Sequence, residues 1–144
     1  MYTQYIKRKP SMSTEIYWLV STLIFTSIMW VPYIINRIVE TGIWPALYNP
    51  QPDTQPKAQW ARRMMSAHEN AVENLVIFAP LVILVEVTAT HSNLSSNAVI
   101  LYFYARVIHF FVFTFGIPVL RVPAFVAGFI AQILLALNLL NNIY

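Results

Sequence analysis

The sequence predicts an all-α integral membrane protein, a single four-span helical bundle running up and down, and three observations carry that prediction. Of its 144 residues, 58% are hydrophobic and only 10% are charged, whereas soluble domains carry roughly 25% charged residues. Residues 16–36 and 122–144 contain no Asp, Glu, Lys or Arg, and about 20 helical residues at ~1.5 Å each cover the ~30 Å hydrocarbon core. Clusters of prolines, glycine and polar residues, such as residues 41–59, separate the long apolar runs.

The first span is read at about Ile16–Ile35, flanked by Lys7, Arg8, Lys9 and Glu15 before it and Arg37 after it. Its apolar part is long for a cleaved signal peptide and no small-residue cleavage site follows, so it is expected to be retained. Residues 41–59 hold Pro45, Pro50, Pro52 and Pro56 with Gly42, Asn49 and Asp53, the punctuation of an irregular loop outside the bilayer. The second helix begins near Ala58 and runs to about Thr90. That is too long to be embedded throughout, so its span proper is placed at residues 66–90 and its first turns protrude. His91 to Asn97 reads as a short polar turn in which Ser96 or Asn97 caps the third helix. The third span covers Ala98–Phe115. Gly116, Pro118, Arg121 and Pro123 mark a short connection, and residues 122–141 form the fourth span. The whole of 1–144 reads as one domain without internal repeats.

Several function classes drop out. There is no cysteine, which excludes disulfides and thiolate chemistry on the protein. The basic residues sit in two short clusters, as membrane flanks do, and no basic stripe suggests nucleic acid. No metal site is expected: the three histidines are scattered, and "HENAV" departs from HExxH at Val72. Asn93-Leu94-Ser95 fits a glycosylation sequon, a pattern common by chance. Trp44, Trp60 and Tyr144 suit the aromatic belts of a membrane protein. Arg37, Lys57, Arg62, Arg63 and Arg121 fall on one side of the bundle and Lys7, Arg8 and Lys9 on the other, which places the first group on the cytoplasmic side.

Polar residues at the mouth of the second span form the main functional signal. At 100° per residue, with Arg63 at zero, Asn70 falls at about −20°, Asn74 at about +20° and Glu73 at about −80°. His68, at about +140°, lies on the far side and reads as a structural residue at headgroup level. The stripe is expected to face protein or water, because charge facing lipid costs roughly 2.5–3.5 kcal/mol on the gentler scales. In the third span Arg106 stands near the middle, with Tyr102, His109 and Phe113 on its face. It requires an anionic partner on this reasoning: Glu73, within the chain or across a subunit boundary, or a ligand. A buried Arg–Glu pair that merely locks helix register is the plainer reading.

Two motifs then point to a family. "RMMSAHENAVEN", Arg63 to Asn74, followed by Phe78-Ala79-Pro80, resembles the second-helix signature of the MAPEG family, the membrane-associated proteins in eicosanoid and glutathione metabolism. "ARVIHFFVFTFGIPVLR", Ala105 to Arg121, is similar to the family's A-R-V-x-Y-x-x-x-Y-x-x-G-x-P-x-x-R pattern. The resemblance covers nearly the whole chain and looks bacterial in type. It implies a homotrimer in a membrane, expected to be a bacterial inner membrane, with glutathione as co-substrate between subunits and a hydrophobic small molecule as the other substrate. By the same resemblance Arg63 and Asn70 hold carboxylate or peptide groups of glutathione, and Glu73 takes its amino group or orients an arginine. Arg106 lies against a charged end, His109 lines the site, and Arg121 stabilises the thiolate. Physical chemistry agrees: an anionic peptide calls for guanidinium forks, and its ammonium for a carboxylate.

The departures are specific. The family's two tyrosines are His109 and Phe113 here, and Phe113 cannot donate a hydrogen bond. Ser66 stands at an often basic position, and Glu69 where some members have arginine. Site charge is therefore lower, which implies weaker glutathione binding or a different ligand. The expected activity is that of a glutathione transferase or peroxidase on hydrophobic electrophiles or lipid hydroperoxides. The alternative is a non-catalytic lipid-binding or scaffold protein. A proton-coupled exporter is disfavoured, since it calls for an acidic residue that residues 16–36 do not supply.

Overall fold

The structure, a computed structural model, describes residues 12–48 and 55–142. Lys7, Arg8, Lys9, Asn49, Pro50, Pro52, Asp53 and Tyr144 lie outside the described residues. The regular elements are helices: α1 (Thr14–Ile28), α2 (Val31–Thr41), α3 (Ile43–Leu47), α4 (Gln59–Val87), α5 (Asn93–Phe115) and α6 (Pro118–Asn142). Four stretches are long and apolar enough to cross a membrane, namely Thr14–Thr41, Gln59–Val87, Asn93–Phe115 and Pro118–Asn142.

The first stretch is longer than the sequence suggests and is broken at Met29–Trp30. Pro32 explains the break. A proline ring collides with the carbonyl four residues earlier, here Ile28, and α1 ends on that residue. The loop after it is also less irregular than its prolines imply, since α3 forms within it and leaves Trp44 and Tyr48 exposed. The third helix starts earlier than expected, and Ser92 caps it rather than Ser96 or Asn97. Ser92 Oγ accepts the Ser95 N–H at 3.0 Å while Ser95 Oγ accepts the Ser92 N–H at 2.9 Å, a reciprocal capping box. At the other end of α5, Gly116 adopts φ 71°, and Ile117 N–H returns to the Val112 carbonyl at 3.0 Å. That Schellman closure needs the left-handed conformation glycine tolerates. Pro118 then opens α6 at once, so Arg121 and Pro123 belong to α6 and not to a connection.

α5 packs against α1, α4 and α6. One core cluster joins Leu19, Phe78, Val82, Val99, Tyr102 and Leu135, with the Phe78 and Tyr102 rings stacked 3.6 Å apart. A second joins Met29, Met64, Ala67, Ala71 and Phe110. Large apolar side chains such as Ile24, Val76, Val87, Phe129 and Leu140 are exposed, as helices surrounded by lipid require.

Polar groups bind the start of α1, the end of α4, the start of α5 and the end of α6. Glu15, buried at 2% exposure, accepts from Ser95 Oγ and Ser96 Oγ and lies 3.2 Å from His91 Nδ1. Ser13 Oγ donates to Glu86 at 2.6 Å, and Ser92 Oγ donates to Asn138 at 2.6 Å. A buried carboxylate is tolerated when its oxygens are bonded in this way.

Candidate functional site

At the other end of the helices the start of α4 meets the turn between α5 and α6. Arg63 Nε donates to the Thr114 carbonyl at 2.9 Å, one of the carbonyls that the end of α5 leaves free for an outside donor. The guanidinium lies so close to Gly116 that a Cβ there would stand 3.1 Å from Arg63 Cζ. Arg121, the fourth residue of α6, places its Cζ 4.9 Å from the centre of the Phe113 ring. Arg63, Val112, Phe113, Gly116, Ile117, Pro118 and Arg121 line a cleft of about 250 Å³. Two fixed positive charges thus face a shared space at the ends of three long helices.

The polar stripe on α4 divides along its length. Arg63, Asn70 and Asn74 are half-buried, whereas Ser66, Glu69 and Glu73 are exposed. The buried face of α4, with Met64, Ala67, Ala71 and Phe78, lies on the Asn74 side of the stripe, so the edge carrying Glu73 points away from the chain's own core. His68 faces α2 as its position on the helix demands, and Tyr33 Oη lies 3.0 Å from its Nδ1.

This division leaves the expected ion pair unformed within the chain. Arg106 is 2% exposed, and the Glu73 of its own chain does not pair with it. Its Nη1 donates to Asn70 Oδ1 at 3.1 Å and its Nη2 to the Phe125 carbonyl at 3.4 Å. Its Cζ lies 5.5 Å from the Tyr102 ring centre and 5.4 Å from that of Phe125. Magnitudes explain why neutral partners suffice. A hydrogen bond to a charged group contributes ~1.5–3 kcal/mol and a desolvated cation–π contact ~2 kcal/mol. Two of each are enough to offset the ~2.5–3.5 kcal/mol insertion cost on the translocon scale. Arg106 Nε has no hydrogen-bond partner among the described residues.

His109 is buried under α6, its ring 5.6 Å from Phe113 and 6.0 Å from Phe125. Arg63 and Arg121 therefore share the cleft, Asn70 and Arg106 pair deeper in the bundle, His109 sits under α6, and Glu73 stands apart on the outer face.

Sequence reasoning missed two supports of the site. One is the Thr114–Gly116 platform under Arg63. The other is Gly128, buried on α6, where a Cβ would stand 2.6 Å from Arg106 Nη2. A glycine inside a charge-free span was the available signal, since it marks a close approach between helices. Among the described residues no cluster of His, Cys, Asp or Glu is suited to a metal ion.

Comparison with known proteins adds one finding. Neither the curated proteins nor the solved structures contain a match. A family model matches residues 15–141, a stretch that contains every residue of the cleft and all of the four long helices except Thr14 and Asn142. The chain belongs to the MAPEG family and is an integral, multi-pass membrane protein.

Proposed function

We propose that this protein is a membrane-bound glutathione transferase or peroxidase acting on hydrophobic electrophiles or lipid hydroperoxides. In this reading it works as a homotrimer of up-and-down four-helix units, in a bacterial inner membrane with the arginine cleft on the cytoplasmic side. The observation that carries the proposal is the convergence of Arg63 and Arg121 on one cleft beside Phe113, in a chain of a family that includes glutathione transferases and peroxidases.

The chemistry follows from the charges. A free thiol has a pKa near 8.5 and is mostly protonated at neutral pH, and only the thiolate is a competent nucleophile. A guanidinium beside it favours the anion by about 1–3 units. Arg121 is the group assigned to the thiolate, and Arg63 and Asn70 to carboxylate or peptide groups of the same molecule. In conjugation the thiolate sulfur bonds to the electrophilic carbon, and the leaving group or opened epoxide oxygen takes the electron pair. In peroxide reduction the sulfur attacks the distal oxygen, releasing an alcohol and a sulfenic acid that a second glutathione reduces, with disulfide and water as products. The nucleophile is the substrate's own, so no protein nucleophile is needed.

The exposure of Glu73 supports a site shared between copies. It points outward at a depth where an unpaired carboxylate facing lipid is costly, and a neighbouring subunit bringing the ammonium of glutathione offers it a partner. Arg106 and His109 lie beneath α6 and support the cleft from within; direct contact with a ligand requires α6 to shift. Purified protein in mild detergent is expected to run as a trimer by native mass measurement and to bind glutathione, with Arg63→Ala losing most of the affinity. A clean monomer or dimer, or equal binding by the variant, counts against the proposal.

The second reading, a non-catalytic lipid-binding or scaffold protein, rests on Phe113. It stands where the family pattern has a tyrosine, and its ring offers Arg121 a face and no hydroxyl.

A further inference from the structure

α4 begins at Gln59 behind Ala58, whose side chain makes no capping bond. The first N–H groups of a helix have no partner within it, and a Ser, Thr, Asn or Asp at this position ordinarily satisfies one of them. Here an acceptor arrives from another helix. Glu40, in the last turn of α2, accepts the Lys57 N–H on Oε2 at 2.8 Å and the Ala58 N–H on Oε1 at 2.9 Å. Asn36, one turn earlier on α2, donates its side-chain amide to the same Oε1 at 2.7 Å. The arrangement supplies across the chain what the N3 carboxylate of a capping box supplies locally. It also sets a negative charge at the positive end of a 29-residue helix.

The residue Glu40 holds is the one on which the helix starts. Arg62 N–H makes an early bond of the ladder to the Ala58 carbonyl at 3.2 Å, and Arg62 Nε returns to the Pro56 carbonyl. Arg63 follows directly, reaching across to Thr114. Helix ends fray unless their free groups are bonded, and fraying by one turn from Gln59 would reach Arg63. The chain ahead of α4 carries four prolines between Thr41 and Gln59 and adds no regular element after Leu47 among the described residues, so α4's own continuity cannot hold this turn from the N-terminal side.

We propose that Glu40 is a positioning residue for the arginine cleft. By fixing the backbone of Lys57 and Ala58 it sets the first turn of α4, and through that turn it sets the guanidinium of Arg63 against the end of α5. The link to ligand affinity rests on the glutathione reading; the link to Arg63 does not.

The test uses three forms of the full-length protein in detergent: wild type, Glu40→Ala, and Glu40→Ala with Ala58→Asp, which gives α4 a cap of its own. Solvent exchange of the Arg63 Nε–H, followed by nitrogen-15 NMR, reports its bond to Thr114 without any ligand. Glutathione affinity and the thiolate midpoint of the bound thiol are measured beside it. Exchange is expected to be slow in wild type, fast in Glu40→Ala and slow again in the double variant. Affinity is expected to fall roughly three- to tenfold and recover with the exchange, since a lost cap is worth about that factor. The thiolate midpoint is expected to stay where it is, because Arg121 is carried by α6. Unchanged Arg63 exchange in Glu40→Ala overturns the proposal, as does a double variant that does not recover. A wild type that binds no glutathione sinks the functional reading alone, because the exchange measurement still decides the role of Glu40.

Discussion

The guanidinium of Arg121 lies 4.9 Å from the centre of the Phe113 ring, at the mouth of the cleft it shares with Arg63. The ring supplies a flat electron-rich face to the cation, worth ~0.5–1 kcal/mol at an exposed site, and no hydrogen bond to a ligand. Phe113→Tyr restores the family's residue type with one added oxygen. It is expected to tighten glutathione binding or speed conjugation by about tenfold, the worth of one hydrogen bond to a charged group. A variant that folds and shows no gain in either would mean that the cleft is not where the thiol sits.

Asn70 and Glu73, three residues apart, are expected to behave in opposite ways. Asn70→Ala takes the acceptor at 3.1 Å from a buried guanidinium and should lower stability by ~1–3 kcal/mol, as loss of a buried partner does. Glu73→Gln removes an exposed charge that has no ion-pair partner among the described residues of the chain and should not lower stability, while weakening glutathione binding. Thermal unfolding in detergent beside a binding titration separates the two. Equal destabilisation by both changes would revive the Arg106–Glu73 ion pair.

Gly128 leaves room for Arg106. With Nη2 only 2.6 Å from where a Cβ would stand, Gly128→Ala forces the guanidinium or α6 to move. A cost of ~1–3 kcal/mol is expected, the usual range for overpacking. A variant as stable as wild type would show that Arg106 has another resting place.

Ala89 closes α4 with φ 53°, and Thr90 N–H returns to the Val85 carbonyl at 3.1 Å. The position is the one glycine ordinarily fills. Ala89→Gly relieves ~1–2 kcal/mol of left-handed strain and forfeits ~0.4–1 kcal/mol through a freer unfolded chain. The net expectation is a gain of roughly 0.5–1 kcal/mol, read as a rise of a few degrees in Tm. A fall in Tm contradicts it.

What the sequence made legible, and what it hid, divides by physical cause. The four long helices were readable because membrane thickness sets their length and the scarcity of charge in their apolar runs marks them. The elements that strayed were decided by single backbone groups. Pro32 breaks the first stretch through a clash at Ile28, and Ser92 captures the start of α5 by trading bonds with Ser95. The cleft was legible in Arg63 and Arg121 through the family pattern. The partners of Arg106 within its own chain were not, because a rule that looks for an anion passes over what an amide, a carbonyl and two rings supply together. Glu40 was invisible as a cap, since nothing in the sequence ties it to a helix start eighteen residues on.

The central claim is that the cleft holds glutathione as a thiolate, and the ultraviolet thiolate band of the protein–glutathione complex tests it most directly. Followed against pH, the band in wild type is expected to have a midpoint about 1–3 units below that of the free thiol, near 8.5. Arg121→Leu is expected to move the midpoint back up, lowering conjugation at neutral pH by roughly tenfold per unit while leaving binding mostly intact. A wild-type complex with no thiolate band near neutral pH, or a midpoint that Arg121→Leu does not move, would contradict the account and favour the non-catalytic reading.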